Sequence, residues 1–579
     1  MSPGEVTGRL RSAVTDEVDA MLASADSALS AGWPGDPGTR QPVHTLYVPA
    51  DRVTPDLVER IRAEAQAAVD EHGAHAGMMA DVTGLDPATV EVVWPAVLAK
   101  LAEQPVEDLR LDLEDGYGLR GAAEEDAAAV AIGELLAQRS PGGPFLSGSR
   151  VKSFEKPTRH RGIRSLDLLL GSLVQRVGGL PPGFVVTLPK VTSVEQVRGM
   201  VHVCEHLERA YALLPGSLRF ELQVETPQAV LGGDGMVTVA RMLHAADRRC
   251  SGLHFGTYDY SAALGVAAAH QAMDHPVADH ATSVMQVAAA QTGARVSHGS
   301  TNVLPVGSTD DVRAAWALHA RLVRRSLARG IYQGWDLHPA QLVTRYLATY
   351  AFYREGAPAA VSRLQAYAAR SEGGILDEPA TAYALASFLV RGVDAGALDA
   401  DEVLVATGLD RASLNAFARR SGGVQRLDRL PLPALRDELF QVCSSVRWVD
   451  GVAAARPYGT LDTLLRVAGE ALAVLAESDL DQALAGHPRI GERSASPTSR
   501  REQSGVTEEQ RAALLEGNRA YEERFGHVYL VSASGRSGAE LLDVLNSRLG
   551  NSPEAERRVM RGELGTINAL RLRRLVEEG

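Results

Sequence analysis

The sequence predicts a multidomain chain: a closed parallel α/β barrel with a helical extension, followed by an all-α domain. Three observations carry this. The 579 residues, 45% of them hydrophobic, suffice for two to four units at roughly 100–200 residues per domain. Short apolar runs alternate with longer helical patterns from about Val43 to Ala340. Beyond about Leu427 the apolar residues recur almost entirely at helical spacing.

The strand-like runs are HTLYVP, DLRLDLED, SRVKSF, FVVTLPKV, LRFELQVETP and GLHFGTYDY, and a helical pattern, VRAAWALHARLVRRSLARG, follows them. Strands alternating with helices imply parallel βα units, and six or more over this length suggest closure into a barrel of the TIM type. An open doubly wound sheet is the alternative. Asp112 to Asp115, Lys190, Glu225 and Asp259 end these runs, where a parallel barrel places its chemistry. The expected divisions are residues 1–355 for the barrel, 356–425 for a helical extension and linker, and 426–579 for the all-α domain. The Gly- and Pro-rich stretch Ser421 to Pro433 marks the second boundary. In the last segment only the short HVYLVSA reads as extended.

Composition narrows the function. The net charge is −13, with 72 acidic and 59 scattered basic residues, which disfavours phosphate-backbone binding. The arginines of RLRRLV and ARLVRRSLARG alternate with leucines, as in ordinary amphipathic helices. Three separated cysteines, Cys204, Cys250 and Cys443, indicate neither a disulfide framework nor a thiolate zinc site. There is no uncharged run of about 18 residues and no leader-like N-terminus, and the terminal VEEG is not a peroxisomal address. The expectation is a soluble cytoplasmic protein acting on small molecules, with no nucleic-acid or membrane partner.

Glu225 and Asp259 each end a strand-like run, and two such carboxylates can share Mg²⁺, which takes few protein oxygens plus substrate oxygens and water. Taken alone they read first as helix caps or surface ion pairs at strand ends. The stretches DLEDGYG, SRVKS, TLPKV, QVETP, GTYDYSAALG and DLHPAQL add information through their order. From about Leu109 to Leu342 the chain resembles the citrate lyase β-subunit/malyl-CoA lyase group (HpcH/HpaI aldolase-like) of the pyruvate/phosphoenolpyruvate-binding barrel superfamily. The resemblance implies that Glu225 and Asp259 hold Mg²⁺ and that Arg150 binds a substrate carboxylate. It also places Asp112, Glu114, Asp115, Lys190 and Gln223 around them. Metal and arginine together would stabilise an enolate, serving carbon–carbon cleavage or condensation alike. GTYDYSAALG is also similar to the metal-binding segment of malate synthases, which makes glyoxylate a candidate substrate beside pyruvate. Members of the group commonly assemble, so a homo-oligomer is expected.

SRVKSFEKPTRHRG departs from the group's short Arg-Val-Asn run. Lys152, Arg159, His160 and Arg161 read either as a second anion site or as a solvated loop, which leaves acyl-CoA use open. His338, before a proline at a helix entry, and His254 read as structural. The alternative to an active barrel is a silent scaffold or sensor.

The stretch HPRIGERSASPTSRREQSG, His487 to Gly505, holds the second constellation. Pro488 restricts the backbone of His487, and Ser499 stands three residues before Glu502 in a capping-box pattern that ends in Gln503. With RFG, GRS and the terminal LRL in order, the segment from about Leu430 to Val576 resembles the 2-oxo-4-hydroxy-4-carboxy-5-ureidoimidazoline (OHCU) decarboxylases of urate breakdown. The resemblance implies cofactor-free conversion of OHCU to (S)-allantoin and CO₂. It implies catalytic roles for His487 and Glu502, and substrate contacts for Pro488, Ser499, Gln503 and Arg571. Cys443-Ser444 replaces the two adjacent cysteines frequent in that family, a change read as tolerated packing.

Overall fold

A computed structural model describes residues 12–36, 38–138, 142–368, 379–411, 414–415, 424, 427, 432–456, 458, 461–485, 508–531 and 538–578. The chain forms two compact units, Met1–Gly408 and Leu409–Gly579. In the first, eight strands close a parallel barrel: β1 His44–Pro49, β2 Asp108–Asp112, β3 Leu146–Arg150, β4 Phe184–Leu188, β5 Phe220–Val224, β6 Cys250–Phe255, β7 Arg295–His298 and β8 Gln333–Asp336. β1 pairs with both β2 and β8, which leaves the sheet without an edge.

The register puts Tyr47 beside Arg110, Arg110 beside Gly148, and Asp112 beside Arg150. Barrel interiors are usually layered with branched aliphatic side chains, but this one is largely polar. Arg110 is wholly buried, and its Nη2 donates to Asp108 Oδ2 (2.8 Å) and Glu221 Oε2 (2.9 Å). Thr45 Oγ1 donates to the same Asp108 oxygen (2.8 Å) and accepts from Gln333 Nε2 (2.9 Å). Trp335 Nε1 donates to His254 Nδ1 (2.8 Å), and His254 Nε2 lies 2.9 Å from Glu221. His254 is therefore structural, held at both nitrogens. Gly148 makes room for the network, since a Cβ there would lie 2.9 Å from Arg110 Nη1 and 1.6 Å from the Val185 carbonyl oxygen.

Helices cover the outside of the barrel. Helix Gln341–Ala368 packs on Pro87–Glu103, Thr309–Ala328 and Pro379–Asp394. The entry to Gln341–Ala368 is capped by His338, whose Nδ1 accepts from Ala340 N (3.2 Å). Cys204, Cys250 and Cys443 are free and buried. Among the described residues no helix is long and apolar enough to cross a membrane.

The described residues of the second unit form helices Leu432–Val442, Val446–Ala454, Leu461–Ala473, Glu477–Ala485, Glu508–Phe525, Gly538–Arg548 and Pro553–Glu578. One core gathers around Trp448, whose Nε1 donates to Ala468 O (2.9 Å), and a smaller one around Tyr521 and Tyr529. The described part of HVYLVSA is not a strand, because no second strand accompanies it among the described residues. A side chain takes the ladder's place: Arg548 Nη1 donates to Leu530 O (2.8 Å). Arg548 also pairs with Glu556 (2.6 Å), which accepts from Asn551 (2.7 Å) and from the Tyr521 hydroxyl.

Acid stability follows from two buried histidines of the barrel unit. Burial, aided by Arg329 and Arg325, lowers His298 to about 3, and burial lowers His44 to about 4. Among the described residues neither nitrogen of His298 has a hydrogen-bond partner. The unfolded chain takes up protons near pH 6.5 and the folded chain does not, so their stabilisation is complete above about pH 6.5 and declines as pH falls toward 3. His298→Leu should flatten this acid limb, removing a loss on the order of 2–3 kcal/mol between pH 7 and pH 4.5. Urea unfolding of wild type and variant at pH 7 and pH 4.5 measures it; parallel pH profiles would refute the assignment.

Candidate active site

Strand ends bring the predicted polar residues to one mouth. Asp112 ends β2, Arg150 ends β3, Lys190 follows β4, Gln223 lies in β5 with Glu225 just after it, and Asp259 sits in the first turn of helix Thr257–Ala263 after β6. Asp112 and Arg150 are in register, and the Arg150 fork closes on the carboxylate, Nε and Nη2 each donating at 2.7 Å. Nη1 donates to Gln223 Oε1 (3.2 Å) and lies 3.6 Å from both Glu114 and Asp115. The fork expected for a substrate carboxylate is thus engaged by Asp112, and Nη1 is the group directed elsewhere.

Gln223 Nε2 in turn donates to Glu225 Oε2, and the other oxygen of Glu225 accepts from the Lys190 main-chain N–H (2.8 Å). Lys190 adopts a left-handed backbone, φ 50°, which costs a non-glycine residue about 1–2 kcal/mol. Its Nζ donates to Asp259 Oδ2 (2.8 Å) and to both oxygens of Asp115 (3.0 and 3.1 Å), and lies 3.3 Å from Glu114. Gly256 is tight against this centre, because a Cβ there would sit 2.4 Å from Glu225 Oε2.

Electrostatics follow from the packing. Burial pushes the Glu225 carboxyl up to about 7, against the pull of Lys190 and Arg150, and burial pushes Glu114 up to about 8. Burial would lower Lys190, but Glu225, Glu114, Asp259 and Asp115 together raise it above its ordinary value. Five carboxylates, Asp112, Glu114, Asp115, Glu225 and Asp259, meet two cations, Arg150 and Lys190, at this mouth. An anionic substrate entering alone would meet net negative charge.

The donor set suits a hard divalent cation. Glu225 and Asp259 both contact Lys190 and interact electrostatically with each other. No group of three His, Cys, Asp or Glu side chains among the described residues is placed to cage a metal. Two carboxylates suit Mg²⁺, which retains waters and substrate oxygens, better than a metal needing a closed protein cage.

The sequence reading missed one contributor, Tyr47, and gave another, Lys152, a different role. Tyr47 lies under Arg150, with the guanidinium 5.1 Å from its ring centroid, and the alternation in HTLYVP, which puts Thr45 and Tyr47 on one face, was the available signal. Lys152 is buried, its Nζ donating to Leu113 O (2.9 Å) and Gly118 O (3.0 Å), so it pins the turn that carries Glu114 and Asp115. It is neither an anion site nor a solvated loop residue. Arg159, His160 and Arg161 begin helix Arg159–Val177, where Arg159 Nε donates to Phe154 O (3.0 Å) and Arg161 pairs with Glu125 (3.1 Å). Of the second constellation, His487, Pro488, Ser499, Glu502 and Gln503 lie outside the described residues. Arg571 is half-buried, and its Nη1 donates to Val442 O (3.3 Å).

A family model described as a domain of unknown function, DUF6986, matches residues 22–422. The chain belongs to that family. Behind the DUF6986 region, residues 428–573 match the OHCU decarboxylase family model. Among solved structures the DUF6986 chain is similar to a citrate lyase of Burkholderia xenovorans LB400, at 19% identity over 62% of this chain and 97% of that one, TM-score 0.42. It is similar to the CitE protein of Mycobacterium tuberculosis in complex with magnesium, acetoacetate and coenzyme A, at 20% identity over 62% and 99%, TM-score 0.38. An OHCU decarboxylase crystallised in the presence of (S)-allantoin aligns at 26% identity over 24% and 97%, TM-score 0.23. No curated protein matches the chain.

Lys152→Met removes the ammonium that holds two carbonyls of the 113–118 turn. It should cost about 1–3 kcal/mol in urea unfolding of the full chain, and an unchanged midpoint would refute the pinning role.

Proposed function

We propose that this chain is a bifunctional enzyme of urate breakdown. Its C-terminal unit decarboxylates OHCU to (S)-allantoin and CO₂ without a cofactor. Its barrel is a Mg²⁺-dependent carbon–carbon lyase or synthase for a small 2-oxo acid such as glyoxylate or pyruvate, with an acyl-CoA as the second substrate to test. The family-model match over residues 428–573 carries the first assignment. The convergence of Glu225, Asp259, Lys190, Gln223 and Arg150 at the barrel mouth carries the second. Both activities belong to the cytosol in this reading.

In the decarboxylase, the bond to the carboxylate breaks and its electron pair passes into the neighbouring C=N bond. A proton then goes back to carbon on one face, setting the (S) configuration. His487, supported by Glu502, moves that proton, and Ser499, Gln503, Arg571 and Pro488 fix the ring.

In the barrel, Glu225 and Asp259 would hold Mg²⁺, which when bound polarises the keto oxygen. Arg150, oriented by Asp112 and backed by Tyr47, presents Nη1 as the donor for the substrate's negative oxygen. Gln223 ties the two halves of the site together by donating to Glu225 and accepting from Arg150. The barrel's surplus of carboxylates makes a divalent cation the natural partner for an anionic substrate.

His487→Ala should lower (S)-allantoin formation by at least about 100-fold with unchanged helical circular dichroism; near-normal turnover would refute the decarboxylase roles. For the barrel, the full chain is incubated with Mg²⁺, glyoxylate or pyruvate, and acyl-CoA donors. Wild type should form or cleave a carbon–carbon bond and Glu225→Gln should not. Absence of both Mg²⁺ binding and turnover in wild type would identify the barrel as a scaffold or sensor.

A further inference from the structure

Lys190 touches both carboxylates assigned to the cation, and it does so with two different groups. Its main-chain N–H holds Glu225 Oε1 (2.8 Å), while its ammonium holds Asp259 Oδ2 (2.8 Å). The left-handed backbone at φ 50° lets one residue reach both, a conformation a lysine adopts only where its surroundings impose it. The ammonium is compact and has three donors, so it satisfies several oxygens at once as a small cation does. Here those oxygens come from Asp259 and from both sides of Asp115, with Glu114 at 3.3 Å.

We propose that Lys190 is a built-in counter-cation of the barrel mouth, whose ammonium occupies Asp259 in the metal-free chain and must release it when a divalent cation binds. The inference rests on the reading of Glu225 and Asp259 as metal ligands and adds regulation to that site. On release the ammonium keeps Asp115 and Glu114, so it stays in the mouth instead of swinging into solvent. The neutral N–H to Glu225 places no positive charge against the metal, so competition comes from the side chain alone. The consequence is a mouth whose acids stay paired without metal and whose metal affinity is set below what two carboxylates alone would give. An anionic oxo-acid arriving with the cation offsets the like charge of Lys190 and completes loading.

The test is calorimetric titration of MgCl₂ into the full-length chain, without oxo-acid, for wild type, Lys190→Met, Lys190→Gln, Lys190→Arg and Glu225→Gln. Removing a unit charge at this range should tighten Mg²⁺ binding at least about tenfold in Lys190→Met and Lys190→Gln. Lys190→Arg, which keeps the charge, should stay near wild type. In EDTA the two neutral variants should melt below wild type, because Asp115 and Asp259 lose their counter-cation, and Mg²⁺ should restore them. Equal or weaker Mg²⁺ binding in both neutral variants, with binding still abolished by Glu225→Gln, would overturn the role of Lys190 and leave the metal assignment standing. Absence of Mg²⁺ binding in wild type and in both neutral variants would overturn the metal assignment and this inference with it.

Discussion

A guanidinium with no access to water must be answered by carboxylates, and Arg110 imposes that requirement on the whole barrel interior. Breaking a buried ion pair leaves an uncompensated charge at a cost of about 3–5 kcal/mol. Asp108 and Glu221 therefore belong to the fold as much as any leucine. Through Glu221 the requirement reaches His254 and Trp335, and through Asp108 it reaches Thr45 and Gln333. The chain of bonds ties β1, β2, β5, β6 and β8, and it explains why Gly148 stands where a side chain would collide with Arg110.

The mouth repeats the same logic one layer higher. Arg150 is satisfied by Asp112 and Gln223, and both oxygens of Glu225 accept hydrogen bonds, one from Gln223 and one from the Lys190 main chain. The two layers differ in electrostatics. At the mouth burial lifts Glu225 to about 7 and Glu114 to about 8, while in the interior, against the same burial, His254 and Arg110 hold Glu221 at about 2.

The second unit uses a buried charge differently. Arg548 lends a donor to the Leu530 carbonyl, so a segment with strand-like composition is held without a partner strand among the described residues. Glu556 collects Arg548, Tyr521 and Asn551 in one buried cluster. Where no sheet satisfies a backbone carbonyl among the described residues of this unit, a buried side chain does.

Alternating apolar runs ending in acids made the barrel legible, because strand period and turn chemistry are local properties. The ordered motifs likewise made Glu225, Asp259, Arg150 and Lys190 legible as one group, and the segment after Leu430 as helical. What the local pattern could not contain was pairing. Nothing near Arg150 indicates that Asp112, 38 residues earlier, takes its fork, nor that Lys152 reaches back to Leu113 and Gly118. HVYLVSA has the composition of a strand, yet a strand exists only where another lies beside it. The sequence by itself determined which residue types reach the barrel mouth. Only closure of the barrel decided which charge answers which, because those partners become neighbours when distant strands are brought into register.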